Sequence, residues 1–274
     1  TSELVKISSD GNLGLEEGQK FERGGIYRFT VDVTKGNTKA VLAVEKVGKV
    51  DLPAPDIFFG NDKMEVTDTD IYKSDQAFTQ GQMITVTGID NLNEWWIDPD
   101  FFEKQSGGAL KFLPINGDYR VTANAVLKYF SVMALKDGKP AKLQDDGTGA
   151  IWAIGKGIGK PSVASSEVGW EPGKALCLAQ VAPKKYQLTL KAGETLKTSG
   201  DPEVISFKFF HQNDWGGEFG NYANSILVEQ LKLADSGNLE MQDNKAFEEG
   251  AVYRFTIDVT NGNANADLKV EKIN

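Results

Sequence analysis

The chain holds one cysteine, one histidine and four methionines in 274 residues. A single cysteine excludes an internal disulfide framework. Cys177, within Ala175-Leu176-Cys177-Leu178-Ala179, reads as a small buried apolar residue. A secreted bacterial protein need not use disulfides, so the cysteine count leaves the compartment open. A single histidine, His211, gives a Ser-His-Asp triad or a histidine-rich zinc site only one member. It falls in phase with Phe207 and Phe209, the place of a partly buried residue at a strand end. Bases are outnumbered, 30 Lys and Arg against 39 Asp and Glu, for a net charge of −9. That balance argues against nucleic acid or an anionic membrane surface as partner, since both call for a basic face. No apolar run approaches a bilayer span. No signal peptide is visible, and a mature or trimmed chain would show none.

What the chain does have is a repeat. Val5 to Val47 aligns without a gap on Leu231 to Ile273, a constant offset of 226, with about half the positions identical. Such self-similarity marks an array of like modules. Tyr27, Phe29, Val31 and Val33 alternate with Arg28, Thr30 and Asp32, the period-2 pattern of a strand with one buried face. Ala40, Leu42 and Val44 supply a second strand. Between the two lie Lys35-Gly36-Asn37 and, in the later copy, Asn261-Gly262-Asn263. These predict tight type I′ hairpins, whose central residues take positive φ. Gly11-Asn12-Leu13 and Gly237-Asn238-Leu239 predict a turn into a further short strand ahead of each meander.

A weaker third copy sits mid-chain, where Tyr119-Arg120-Val121-Thr122 repeats the Tyr-Arg-x-Thr phrase and 127–135 forms the return strand. Each copy then closes a module: 1–49 is the closing half of a first, 50–138 a second, and 149–274 a third. Leu52-Pro53-Ala54-Pro55 reads as a stiff linker. Lys136-Asp137-Gly138-Lys139-Pro140 and Asp145-Asp146-Gly147 make a turn-rich boundary. A first module with only its closing half implies that the chain starts inside a longer protein or lacks residues ahead of Thr1. The predicted fold class is all-β, as tandem immunoglobulin-like β-sandwich modules.

The order of motifs in the third module carries a resemblance. It runs from Ile151-Trp152-Ala153-Ile154-Gly155 through Gly169-Trp170 to the strand Lys185–Lys191 with Ala192-Gly193. It continues through Ile205-Ser206-Phe207-Lys208-Phe209-Phe210 and Trp215-Gly216-Gly217 to the closing meander. This order resembles the repeated β-sandwich of the SusE and SusF outer-membrane glycan-binding proteins of Bacteroidetes. The second module matches loosely, at Phe58-Phe59-Gly60 and its closing strands, and the first only at its tail. The resemblance implies a lipid-anchored cell-surface protein that binds polysaccharide or oligosaccharide without catalysis. It also implies work beside a TonB-dependent transporter and its glycan-capturing partner, with no cofactor.

The residues themselves point to sugar through aromatics in loops. Pyranose rings present apolar C–H faces that match an exposed indole. Trp95, Trp96, Trp170 and Trp215 lie in Gly- and Pro-rich loop sequence, where large aromatics are costly to expose unless something covers them. The alternative is that they fold back to cap their own sandwiches. Trp152 lies in a strand-like run and reads as core. In the third module the candidate site is Trp170 with Trp215. Lys208 points away from Phe207 and Phe209, and Asn213 and Asp214 add hydrogen-bonding groups. The resemblance carries over only to Trp170, Trp215 and Lys208.

In the second module, Asn93-Glu94-Trp95-Trp96-Ile97-Asp98-Pro99-Asp100-Phe101-Phe102 has two readings. As a binding loop, one tryptophan stacks on sugar while its neighbour anchors the loop. As a catalytic loop, Asp98 and Asp100 form a carboxylate pair, although glycosidase carboxylates usually face each other from separate elements. Asp98-Pro99-Asp100 also suits a turn. Gly155-Lys156-Gly157-Ile158-Gly159-Lys160 imitates a phosphate loop but lacks its spacing and a following helix. Asp68 with Asp70, or Asp145 with Asp146, could serve calcium, but no EF-hand loop is present. The alternative functions are a structural or protein-docking spacer array, or an accessory region of an extracellular glycoside hydrolase.

Overall fold

The computed structural model describes residues 4–7, 12–16, 19–50, 54–198 and 204–274. The chain divides into two compact units. One is built from the described residues up to Pro55 and takes in Asp68–Asp70. The other comprises Asp56–Thr67 and Ile71–Asn274. The expected boundary near residues 138–149 therefore falls inside one compact unit.

The first unit holds two antiparallel pairs, β1 (Val5–Ile7) with β2 (Leu13–Leu15) and β3 (Gly25–Asp32) with β4 (Val41–Lys49). The turn into β2 lies at Gly11, outside the described residues. The β3–β4 connection is not the expected type I′ turn. Gly36 takes φ 92 and ψ 157 and opens a 3-10 turn over Asn37–Lys39. Thr34 N–H donates to Asp32 Oδ1 at 2.9 Å, and Gly36 N–H to Val33 O at 2.9 Å. The Asp side chain caps the strand end and starts a wider loop with glycine as its fourth residue.

The second module follows as β5 (Phe58–Phe59), β6 (Asp62–Lys63), β7 (Glu65–Asp68), β8 (Ile71–Phe78) and β9 (Met83–Thr87). Then come β10 (Trp96–Ile97), β11 (Phe102–Lys104), β12 (Ala109–Phe112), β13 (Gly117–Asn124), β14 (Tyr129–Lys136) and β15 (Lys139–Pro140). The third holds β16 (Trp152–Gly159), β17 (Glu167–Gly169), β18 (Leu176–Cys177), β19 (Ala179–Ala182), β20 (Lys185–Lys191) and β21 (Ser206–Phe210). It closes with β22 (Asn224–Ile226), β23 (Leu231–Leu233), β24 (Leu239–Met241), β25 (Val252–Asp258) and β26 (Asp267–Lys272).

The two modules share one topology. The second has sheets ordered β10-β14-β13-β8-β7 and β11-β12-β9-β5-β6. The third has β22-β26-β25-β20-β19 and β23-β24-β21-β16-β17, strand for strand the same. Even the short parallel partners correspond, β10 on β14 and β22 on β26. The sheets of each module pack face to face through aromatic rings. Phe59 of β5 meets Phe130 of β14 at 5.3 Å between centroids, and Phe207 of β21 meets Phe255 of β25 at 5.5 Å. The fold class is all-β. Neither pair of sheets, however, follows the ABED and CFG order of an immunoglobulin constant domain. The hairpin that ends in β8 sets that strand beside β13, and the chain then crosses to the other sheet at β9.

A glycine stands two residues ahead of the tyrosine of the repeated phrase, at Gly25 and Gly117, for a local reason. The Tyr119 hydroxyl donates to Ile115 O, four residues upstream, at 2.9 Å, the contact of a tyrosine corner. The ring folds back over Gly117, where a Cβ would stand 3.3 Å from it; at Gly25 a Cβ would stand 2.6 Å from the Tyr27 ring.

The two modules also share core. Trp152, Cys177 and Ala179, from the third module, belong to the apolar cluster built around Phe59, Phe112 and Phe130 of the second. Trp152 is 1 % exposed and its indole N–H donates to Ala141 O at 3.0 Å. It is core, as its strand position predicts, but of the neighbouring module. Burial pushes the Cys177 thiol up to about 12, so it stays protonated as a small apolar residue.

Candidate functional site

In the third module β21 alternates as predicted. Phe207 and Phe209 are buried toward the core, while Ser206 and Lys208 are half-buried on the other face. Phe210 lies on that outer face two residues beyond Lys208 and is covered by Trp215, whose ring stands edge-on at 6.0 Å. The loop after β21 closes through His211 N–H to Gly217 O at 2.7 Å and Phe219 N–H to Phe209 O at 3.0 Å. Its return bend sits at Gly216 (φ 85) and Gly217 (φ 70), conformations that glycine adopts without penalty. Within the loop Gln212 Nε2 donates to Trp215 O at 2.6 Å, and Trp215 N–H to Asp214 Oδ1 at 2.8 Å. Asp214 is exposed and holds the loop, while Asn213 is half-buried. His211 is half-buried against Phe219, with ring centroids 4.4 Å apart, and burial lowers its imidazolium range.

Trp170 arrives from a different element, directly after edge strand β17. Its ring and that of Trp215 lie 26° from parallel, centroids 6.3 Å apart. That is an offset stack. Trp215 is 50 % exposed, and Trp170 is half-buried against the core. The two indoles therefore form one stacked aromatic pair with Trp215 as its exposed member, backed by Phe210, on the face that also carries Lys208. Two loops 45 residues apart build it, and only the fold brings them together.

The second-module loop behaves differently. It occupies the equivalent connection, between β9 and β10 as the Trp215 loop lies between β21 and β22. Trp95 is 5 % exposed and stacks on Phe130 at 4.6 Å, so it has no free face for a sugar. It is the anchor of the loop. Trp96 is half-buried and donates its indole N–H to Glu194 Oε1 of the third module at 3.2 Å. It borders a cleft of about 350 Å³ with Tyr129, Ser131, Ser165 and Lys174.

Asp98 and Asp100 form no open carboxylate pair. Lys160, the last residue of the phosphate-loop imitation, reaches both Asp98 oxygens at 2.8 Å and Asp100 Oδ2 at 3.0 Å. All three side chains are buried. Asp100 also accepts from Gln187 Nε2 at 2.7 Å and from Thr189 N–H and Oγ1–H, each at 2.6 Å. Burial alone would raise Asp100, but the Lys160 ammonium and these donors hold it below the usual carboxylate range. Burial raises Asp98, with the Asp100 charge adding to it against the pull of Lys160. One ammonium thus serves two carboxylates, and of the two Asp98 takes up a proton the more readily. The loop is a buried strut between modules. Its partners Lys160, Gln187, Thr189 and Glu194 lie 60 to 98 residues away in sequence. No local pattern announces them.

Asp146 is spent on a turn, its Oδ1 accepting from Thr148 N–H and Oγ1–H. Among the described residues no three His, Cys, Asp or Glu side chains cluster to hold a metal.

A family model described as "Domain of unknown function (DUF5121)" matches residues 1–34 and 146–260, more than half of the chain. The chain belongs to the DUF5121 family. The two matched stretches of this DUF5121 chain end at Thr34 and Thr260, 226 residues apart, so the first repeats the end of the second. Residues 51–143 match a second model, "Domain of unknown function (DUF5125)". No curated protein matches. Among solved structures, SusF from Bacteroides thetaiotaomicron is similar at 15 % identity with a TM-score of 0.31. The match covers 98 % of this chain, which spans 65 % of that one.

Proposed function

We propose that this protein is a non-catalytic glycan-binding module array whose principal site is the Trp170–Trp215 platform. The observation that carries the reading is the pair itself. Two near-parallel indoles from separate loops stand beside each other, one of them half exposed. A half-exposed tryptophan in a loop braced by four internal hydrogen bonds is a costly surface to maintain without a ligand. A pyranose laid on the platform would bury its C–H face there. Lys208 and Asn213 would then donate to its hydroxyls. Asp214, whose Oδ1 already accepts from Trp215 N–H, has its other oxygen to offer.

Trp96, at the cleft between modules, is the second station in this reading. Weak sites on one chain add through effective concentration when one polymer spans both. The motif order shared with the SusE and SusF family extends the reading to a cell-surface setting. There a lipid anchor lies outside this chain, and the partners are a TonB-dependent transporter and its glycan-capturing protein. The platform is tested by affinity electrophoresis against a panel of polysaccharides, comparing the native chain with Trp170→Ala and Trp215→Ala. Retardation by a glycan that both changes relieve, with no sugar released, supports it. Mobility unaffected by every glycan in a broad panel, or retardation that survives both changes, rejects it.

A further inference from the structure

Strands β1 to β4 are the earlier copy of β23 to β26, and the two copies differ in what covers them. In the later copy Phe255, Ile257 and Val259 are each 0 % exposed. They are covered by the opening half of their module: β20 pairs along β25, and Phe207 and Phe209 of β21 pack on Phe255. At the same places 226 residues earlier, Phe29, Val31 and Val33 are 49 %, 61 % and 51 % exposed. Leu13 and Leu15, the counterparts of buried Leu239 and Met241, are exposed as well. Among the described residues β3 pairs with β4 in a two-stranded sheet, so its other edge faces no strand. A lone two-stranded sheet is marginal in water, and a contiguous apolar face of this kind marks an interaction surface.

We infer that this face is the docking surface for the opening half of a DUF5121 module. The occupant is an apolar half-sandwich whose edge strand adds to β3 as β20 adds to β25. Its second sheet would set phenylalanines on Phe29 as Phe207 and Phe209 sit on Phe255. The two faces have the same shape, because the inward residues are identical or differ by a methylene-sized change, Val31 for Ile257 and Leu15 for Met241. Volume-conserving changes of that kind are well tolerated in a core. Charge agrees too: Asp258 receives Lys185 of β20 at 2.9 Å, and Asp32 stands at the equivalent end of β3. The DUF5121 match to residues 1–34 ends at Thr34, at the same 226-residue offset from Thr260, where the 146–260 match ends.

The constant offset defines the test. A second copy of residues 146–226 is fused directly ahead of Thr1 of the full chain, so that Thr1 follows it as Leu227 follows Ile226. Amide exchange is then read in β3 and β4. The expected result is exchange slowed roughly tenfold or more, with loss of hydrophobic-dye binding, and restoration of both by Phe29→Asp in the fused chain. Exchange at the native chain's rate overturns the inference. So does a native chain that sediments as a dimer with β3 and β4 already protected, and loses both properties on Phe29→Asp. The occupant would then be a second copy.

Discussion

Trp152 and Trp215 have the same side chain and opposite surroundings, and those surroundings decide what each can do. Trp152 is enclosed by the second module's core with its N–H bonded, so Trp152→Ala should cost about 3–5 kcal/mol and lower the urea midpoint sharply. Trp215 rests on Phe210 with half its surface in water. Trp215→Ala should lower that midpoint only slightly while abolishing glycan retardation; a loss comparable to that of Trp152→Ala would make it a core residue. The two aspartates differ in the same way. Asp100 has three donors besides Lys160 and must remain an acceptor, so Asp100→Asn should cost roughly 3–5 kcal/mol, as breaking a buried pair does. Asp98 is the carboxyl that burial drives toward its protonated form, so Asp98→Asn should cost clearly less. Equal losses in denaturant titrations would refute that division. The sequence showed that this loop was dense in chemistry. It could not show a buried ion triad, because the ammonium belongs to a glycine-rich strand 60 residues on.

At the scale of elements, period-2 alternation was enough to place β21 and β25 with the correct faces inward, whereas the apolar face it marks in β3 is exposed. Lys208 lies outward and the phenylalanines inward, as the phase requires. Turn chemistry was less legible. Asn-Gly pointed to a type I′ hairpin, but Asp32 and Asp258 cap their own turns and impose a wider loop. The order of strands across the sheets was not legible either, since the β8–β13 and β20–β25 pairs join residues far apart in the chain. Gly155 illustrates a different limit. In sequence it belongs to a phosphate-loop imitation, whereas in the fold it lets β16 lie against β21. Its φ is +141, and a Cβ there would stand 2.3 Å from Ser206 O and 2.4 Å from Phe207 Cα. Gly155→Ala should therefore separate β16 from β21 locally and lower the melting temperature by several degrees, at a strain of about 1–3 kcal/mol. An unchanged melting curve, with unchanged amide protection along β21, would contradict this.

For the molecule as a whole, the two like modules behave as one body because the Trp95–Phe102 loop and Trp152 each cross into the neighbour. The ion triad makes that union depend on pH. Asp100 is held below its ordinary range in the folded chain. It therefore adds stability that is complete above the unfolded value of about 4 and is lost as pH falls through its lowered value. Asp98 acts in the opposite sense: it is raised, so its contribution is complete at low pH and declines as pH rises through its raised value. Lys160 is raised by its two carboxylates despite burial. Its contribution is complete below about pH 10 and is lost as pH rises through the raised value. Between these limits the second and third modules should unfold in one calorimetric transition at neutral pH. As pH falls through the lowered Asp100 value and that carboxylate loses its charge, the transition should divide in two, because the strut weakens while each module keeps its own aromatic core. Lys160→Ala should divide it at neutral pH, leaving two carboxylates without their cation. Two separate transitions in the native chain at pH 7 would mean that the shared core, with Trp152 at its centre, does not bind the modules into one cooperative body.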